Sequence, residues 1–262
     1  MIKLEEIIAA REKDVNLRRS LKPLEDIVAA ASKRGKALSL KNLLAKGAGS
    51  GIIAEFKPAS PSRGVINAEA DVEKVTADYV KMGASALSVL TENRFFGGSF
   101  QNLEKARRKN DCPILQKDFI IDHYQIAEAR SYGADVILLI AAVLNREKVK
   151  SLAQTAHSYG LEVILEVHKE EELVMLTEDV DIVGVNNRDL FTFKTNIDTS
   201  VSMVDMIPDS FVKISESGIN DAETIMLLRE AGFSGFLIGE HFMQHKDPAK
   251  ALGQLVGDMK KK

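Results

Sequence analysis

Eight short apolar runs recur along this chain, and most of the charges that interrupt them fall at their carboxyl ends. The runs are IIAEFK, ALSVLT, PILQKDF, VILLI, VILEVH, IVGVNNR, VKISES and GFLIGE. Between them lie stretches such as AEADVEKVTADYVKMG, DHYQIAEARSYG, NREKVKSLAQTAHSYG and NDAETIMLLREAG, whose apolar spacing predicts helices. These stretches stop at Gly83, Gly133, Gly160 and Gly232, as helices do when a left-handed residue closes them. Run follows run mostly at about 20 to 30 residues, which suits a strand–helix unit. Strands apolar on both faces must be covered by helices, which implies a parallel sheet. Eight such units without a linker predict a closed (β/α)8 barrel, the α/β TIM-barrel architecture. The competing architecture is a doubly wound open sheet, whose dinucleotide form places Gly-x-Gly-x-x-Gly after the first strand. The turn here reads KPASPSRG and does not fit.

The 262 residues are long enough for one large domain with a substantial core. Residues 1–48 read as a helical extension and 49–262 as the barrel, together one domain. Leu4, Ile7 and Ile8 share a helix face, Pro23 suits a first helical turn, and Ser39 is placed to cap a short helix through Leu43 and Leu44. The net charge of −3 and the scattered basic residues give no nucleic-acid patch. No stretch approaches the roughly 18 apolar residues of a membrane span. The amphipathic, acidic start is unlike a signal peptide. Cys112 stands alone, which excludes an intrachain disulfide and a thiolate metal cluster and fits a reducing cytoplasm. A monomer is the expected state.

A charge at the end of a buried strand is costly to desolvate, so its repetition needs a reason. Side chains two apart on a strand share a face. That rule groups Glu55 with Lys57, Lys117 with Leu115 and Phe119, and Glu166 with Ile164 and His168. It also groups Gly184 with Asn186 and Arg188, and Glu216 with Val212 and Ile214. If these faces point inward, apolar side chains fill the barrel and the polar groups crown its mouth, where such barrels do their chemistry. One such charge is ordinary loop chemistry; five strands behaving alike are not. Lysine is protonated at neutral pH and can give a proton to a carbonyl, with a nearby glutamate as the complementary base. Neighbouring cations are expected to make Lys117 the stronger acid. His168 stands at a strand end without evident partners. His123, His157, His241 and His245 are expected to be exposed, and no His or Cys cluster has metal-ligand spacing.

The last two strand–helix turns carry Gly218 and Gly239, which let backbone N–H groups approach an anion, and barrels often hold phosphate there. Ser60 in the first loop is placed to add a hydroxyl to that anion. Glu240 follows Gly239 and would repel phosphate, so that turn is assigned backbone contacts only. Phe96, Phe119, Leu138 and Leu190 are candidates for an apolar wall, although core packing accounts for such residues equally well.

The segments IIAEFKPASPSRG, SVLTENRFFGGSF, PILQKDFIID, LEVILEVH, VGVNNRDL, ISESGI and LIGEHFM together resemble the indole-3-glycerol phosphate synthase family of tryptophan biosynthesis, and the likeness runs over nearly the whole chain. The resemblance implies a single barrel whose N-terminal helices help cover the active site, a phosphorylated small-molecule substrate, and no metal or organic cofactor. The implied reaction is a carboxy-lyase ring closure of 1-(2-carboxyphenylamino)-1-deoxyribulose 5-phosphate to indole-3-glycerol phosphate, carbon dioxide and water. By resemblance Lys117 is the general acid and Glu166 the base or electrostatic partner. Lys57 binds the substrate carboxylate and shares in proton donation, and Glu55 and Glu216 orient lysines and substrate. Asn186 and Arg188 position hydroxyl and carboxylate groups, while Ser60, Gly218 and Gly239, with Ser217 beside them, form the phosphate site.

Two other readings of the same residues exist. A phosphosugar isomerase needs one acid/base pair around a carbonyl, and the additional Lys57 and Arg188 suit a substrate with a second anionic group better. A non-catalytic barrel binding phosphorylated ligands predicts loss of the acid/base pair, and Lys117 and Glu166 are both present.

Overall fold

The computed structural model describes residues 4–190 and 192–261. The first apolar run is β1 (Ile52–Phe56), followed by a two-stranded antiparallel hairpin of β2 (Ala59–Ser60) and β3 (Gly64–Val65). The other seven runs are β4 (Ala86–Leu90), β5 (Ile114–Lys117), β6 (Val136–Ile140), β7 (Glu162–Val167), β8 (Ile182–Asn186), β9 (Val212–Glu216) and β10 (Gly235–Ile238). Every neighbour in the order β1-β10-β9-β8-β7-β6-β5-β4 is parallel, and β4 pairs back onto β1. The expected closed barrel is thus what forms, and the open sheet is not.

Alternation along each strand divides the core in two. Ile53, Ala86, Leu115, Val136, Leu138, Ile164, Ile182, Ile214 and Leu237 fill the interior. Their neighbours Ile52, Ala54, Leu87, Ile114, Ile137, Val163, Val183 and Phe236 pack outward against the helices. Both sets are buried, which is why these strands read as unbroken apolar runs rather than alternating ones. Besides the short α8 (Asp198–Met203) and α10 (Glu240–Met243), the main covering helices are α4 (Val72–Lys81), α5 (Phe100–Lys109), α6 (His123–Ser131), α7 (Arg146–Ser158), α9 (Ala222–Ala231) and α11 (Pro248–Met259). Each begins at a side-chain cap, in turn Asp71, Ser99, Asp122, Asn145, Asp221 and Asp247. The glycines expected at helix ends have left-handed backbone, Gly232 being the C-cap of α9 itself.

The N-terminal region is three helices, α1 (Leu4–Leu21), α2 (Leu24–Ser32) and α3 (Leu40–Ala45). Pro23 stands at the N-cap of α2, and the Ser39 side chain accepts from the Asn42 N–H at the start of α3. α2 packs along α6, carrying the chain from one end of the barrel to the other. α3 then inserts Leu40 and Leu44 into the interior cluster. A second set of acidic residues, at the amino ends of strands, holds this plug. Asp135 accepts from the Leu38 N–H at 2.9 Å, and Glu162 accepts from the Lys41 N–H at 2.9 Å and from the Ser39 hydroxyl. These carboxylates are exceptions to the rule that charge gathers at the carboxyl ends, and they anchor the extension.

Candidate active site

The interior positions at the carboxyl ends of the strands are where the alternation places Glu55, Lys117, Glu166 and Glu216. All three carboxylates are at most 2 % exposed. Strand register sets their neighbours. Glu55 lies opposite Ser88, whose hydroxyl donates to Glu55 Oε2 at 3.1 Å. Glu166 lies opposite Gly184, and Asn186 opposite Glu216. A Cβ on Gly184 would stand 2.5 Å from Glu216 Oε1, so the missing side chain is the slot that admits this carboxylate.

Lys117 Nζ donates to Glu166 Oε2 at 2.7 Å and lies 3.5 Å from Glu216 Oε2. Lys57 Nζ sits 3.1 Å from Glu55 Oε1. Burial by itself would lower the Lys117 pKa, but Glu166, Glu216 and Glu55 outweigh it and raise the value. This corrects the expectation that neighbouring cations make Lys117 a stronger acid: its immediate surroundings are carboxylates. Burial likewise opposes ionisation of Glu166, yet Lys117 and His168 hold its pKa well below the usual carboxylate range. Glu55 is also lowered, against burial, by Lys57 and Lys117. Glu216 goes the other way: burial, with Glu166 and Glu55 adding to it against the pull of Lys117, pushes its carboxyl up to about 8.

His168 does have partners. Its Nε2 lies 3.3 Å from Glu166 Oε1 and its Nδ1 3.3 Å from Glu172 Oε2. The spacing of four between His168 and Glu172 was the available signal, hidden in the acidic run KEEEL. Of the other histidines, His123, His157 and His245 are exposed and His241 is half-buried.

The rim encloses one cleft with two lobes, which share Glu55, Lys57, Ser62, Arg188, Phe193, Ser217 and Leu237. The first lobe holds Lys117, Glu166, Asn186 and Glu216, with Phe96, Phe119, Leu138 and Leu190 as apolar wall. The Phe96 and Phe119 rings are tilted with centroids 5.9 Å apart. The second lobe is polar and is bordered by Gly218, Gly239, Arg63, Glu240 and Gln244. Ser217 and Gly218 are consecutive left-handed residues, with φ of 68° and 77°. A Cβ on Gly239 would meet Glu55 Oε1 at 2.6 Å, so this glycine also makes room for the rim carboxylate. Ser60 borders the first lobe instead of the polar one. From the same loop it is Ser62 that reaches the polar lobe, where its Oγ accepts from Arg188 Nη1 at 2.9 Å.

Glu240 does face the polar lobe, but not as a bare charge. Its carboxylate accepts from Arg63 Nε at 2.9 Å and from Arg188 Nη2 at 2.9 Å. Three loops distant in sequence supply this trio, so spacing alone gave no sign of it. Asn187 is buried below, its amide donating to the carbonyls of Glu216 and Ser217 at 3.0 Å each.

Over the first lobe lies α1, contributing Leu4 and Ile7. Arg11, 2 % exposed, reaches Asp118 Oδ1 at 2.8 Å and Glu92 Oε1 at 3.9 Å. Of the three N-terminal helices only α1 borders the cleft; α3 closes the opposite end.

Solved structures with this architecture include 3-hexulose-6-phosphate synthase from Salmonella typhimurium, with TM-score 0.64 and 14% identity over 80% of this chain and 98% of that one. Thiamine phosphate pyrophosphorylase from Pyrococcus furiosus is similar, with TM-score 0.59 and 14% identity over 80% and 95% of the two chains. At such identities the likeness is one of fold. Sequence relatives carry more. A protein from Bacteroides thetaiotaomicron named indole-3-glycerol phosphate synthase is 46% identical over 249 residues, covering 95% of each chain. One of the same name from Chromobacterium violaceum is 41% identical over 259 residues, covering 96% of this chain and 97% of the other. The family model described as indole-3-glycerol phosphate synthase matches residues 4–255, and with it the chain belongs to the indole-3-glycerol phosphate synthase family.

Proposed function

We propose that the protein closes the indole ring in tryptophan biosynthesis, converting 1-(2-carboxyphenylamino)-1-deoxyribulose 5-phosphate to indole-3-glycerol phosphate with loss of carbon dioxide and water, as a carboxy-lyase. The observation that carries the reading is the 2.7 Å contact of Lys117 with Glu166 in a cleft having an apolar wall at one end and a glycine-bordered polar lobe at the other. A substrate with an aromatic ring and a phosphate matches those two ends. The sugar ketone then lies between them, beside the lysine.

Ring closure joins the aromatic carbon bearing the carboxylate to the ketone carbon, and the ketone oxygen must gain a proton. Lys117 gives it. The resting Lys117 is a poor acid because carboxylates surround it. Moving toward the ketone exchanges a carboxylate contact for a neutral oxygen, leaves burial to act, and strengthens the acid at the moment of need. Lys57 holds the substrate carboxylate until the cationic ring can accept the electron pair of the breaking carbon–carbon bond. Carbon dioxide then leaves and aromaticity returns. The former ketone oxygen departs as water, protonated by Lys117 or Lys57, while Glu166 takes a proton from the neighbouring methylene. Glu55 orients Lys57, and Asn186 with Glu216 positions the substrate hydroxyls. Arg188, Ser62 and the backbone N–H groups of the Ser217–Gly218 and Gly239 turns receive the phosphate. Positioning of tethered reactants is worth ~7–11 kcal/mol in favourable cases, and folding this substrate is the main task of the cleft.

The test is incubation of purified protein with the carboxyphenylamino substrate, following indole fluorescence and carbon dioxide release. Equal amounts of both support the reading. Consumption without carbon dioxide points to an isomerase, and no turnover contradicts the assignment.

A further inference from the structure

His168 is a buried ionisable group at the cleft for which the chemistry above has no use. Its side chain, 6 % exposed, stands just past the end of β7 on the interior face it shares with Glu166. The groups that face it are two carboxylates. Glu166 Oε1, from β7, lies 3.3 Å from Nε2. Glu172 Oε2, from the 3₁₀ turn Glu170–Met175, lies 3.3 Å from Nδ1 and also accepts from the His168 backbone N–H at 2.7 Å. Beyond Glu166 stand Lys117 of β5 and Glu216 of β9. A neutral imidazole carries one donor and one lone pair, so it would turn a lone pair toward one of the two carboxylates. The imidazolium sets a positive charge against both: Nδ1 hydrogen-bonds Glu172 Oε2, whereas Nε2 makes an ion-pair contact with Glu166 Oε1 and no hydrogen bond. Burial opposes that charge, but Glu166 and Glu172 more than offset it and push His168 up to about 9.

The four side chains form a chain of alternating charge, Glu172, His168, Glu166 and Lys117, with both oxygens of Glu166 occupied. When Lys117 turns to the substrate ketone, Glu166 loses its nearest cation while fully buried. A buried carboxylate without a cation takes up a proton, and the nearest proton is the one Lys117 has to deliver. Building on the reaction proposed above, we propose that His168 is a positioning residue: clamped by Glu172, it keeps Glu166 ionised and aimed into the cleft while Lys117 engages the substrate. The imidazolium forms below its folded-state pKa, so its contribution is present at neutral pH and is lost as pH rises through about 9.

The test compares wild type, His168→Asn and Glu172→Gln by steady-state turnover across pH, and by NMR titration of the His168 ring in the substrate-free protein. For His168→Asn, kcat is expected to fall about tenfold or more with KM within about threefold, as for loss of a group that acts during chemistry. Glu172→Gln keeps the ring and removes the clamp. Its alkaline rate limb and its His168 titration are both expected to move to lower pH. If His168→Asn does not fold, Glu172→Gln carries both readouts. Folded variants with wild-type kcat overturn the proposal, as does an alkaline limb that stays put in Glu172→Gln. Wild-type protein that cannot turn over the substrate contradicts the reaction instead. A His168 ring titrating near its ordinary ~6.5 in wild-type protein contradicts the clamp whatever the reaction.

Discussion

Lys117 and Glu166 meet at 2.7 Å although 49 positions separate them in the chain. β5 and β7 are not adjacent, since β6 lies between them, so the contact spans the mouth of the barrel instead of following a strand ladder. With Glu216 3.5 Å from the same ammonium, one lysine stands against two buried carboxylates. Lys117 and His168 draw the Glu166 carboxyl toward its ionised form, while burial and the neighbouring carboxylates push Glu216 toward its acid form. In the proposed reaction this asymmetry would supply both a proton acceptor, Glu166, and a carboxyl able to bind a hydroxyl, Glu216.

The Glu216 carboxyl has a pH signature in stability. Its folded-state value is about 8 against an ordinary 4.5. Between those values the unfolded chain releases a proton that the folded protein keeps, so Glu216 makes stability fall as pH rises through that window. Glu216→Gln removes the slope. The melting temperature of Glu216→Gln relative to wild type is expected to increase steadily from acid toward pH 8. A difference independent of pH contradicts the protonated carboxyl.

The Arg11 contact fastens α1 over the apolar lobe. Removing one partner of a buried ion pair costs about 3–5 kcal/mol, because the other is left desolvated. Arg11→Ala should approach that loss in chemical denaturation. It should also raise KM, because Leu4 and Ile7 of the same helix border the cleft. Arg11→Met restores packing of the aliphatic stem and should recover part of the stability. Unchanged stability in Arg11→Ala would show that α1 does not depend on this pair.

If the polar lobe receives the substrate phosphate as proposed, Glu240 competes with it for Arg63 and Arg188. Both pairs are partly open to water, so the contest is worth up to about 1 kcal/mol. Glu240→Gln is therefore expected to lower KM by up to about fivefold, with a steeper dependence on salt. A raised KM would mean that Glu240 is needed to aim the arginines.

Much of this arrangement could be read from the chain before any coordinates. Period-two alternation marked Glu55, Lys117, Glu166, Asn186 and Glu216 as interior, and the barrel turns them inward with Ile53, Leu115, Ile164 and Ile214, which stand two residues before Glu55, Lys117, Glu166 and Glu216, in its interior cluster. Their order around the rim was not legible. Lys57 and Arg188 share the same mouth, yet strand register surrounds Lys117 with acids. Arg11 reads as one more charge on an amphipathic helix, and only the docking of α1 on the ends of β4 and β5 buries it. Ser60 and Ser62 differ by two places in KPASPSRG, and the hairpin of β2 and β3 decides which one borders the polar lobe.

In the proposed reaction Lys117 delivers the proton that closes the ring. The most direct measurement of this step is single-turnover formation of indole-3-glycerol phosphate by Lys117→Met beside wild type, with circular dichroism confirming that both are folded. Loss of a general acid costs about 10²–10⁴-fold, so the variant is expected to fall by at least a hundredfold. A folded Lys117→Met that closes the ring at the wild-type rate would contradict the account.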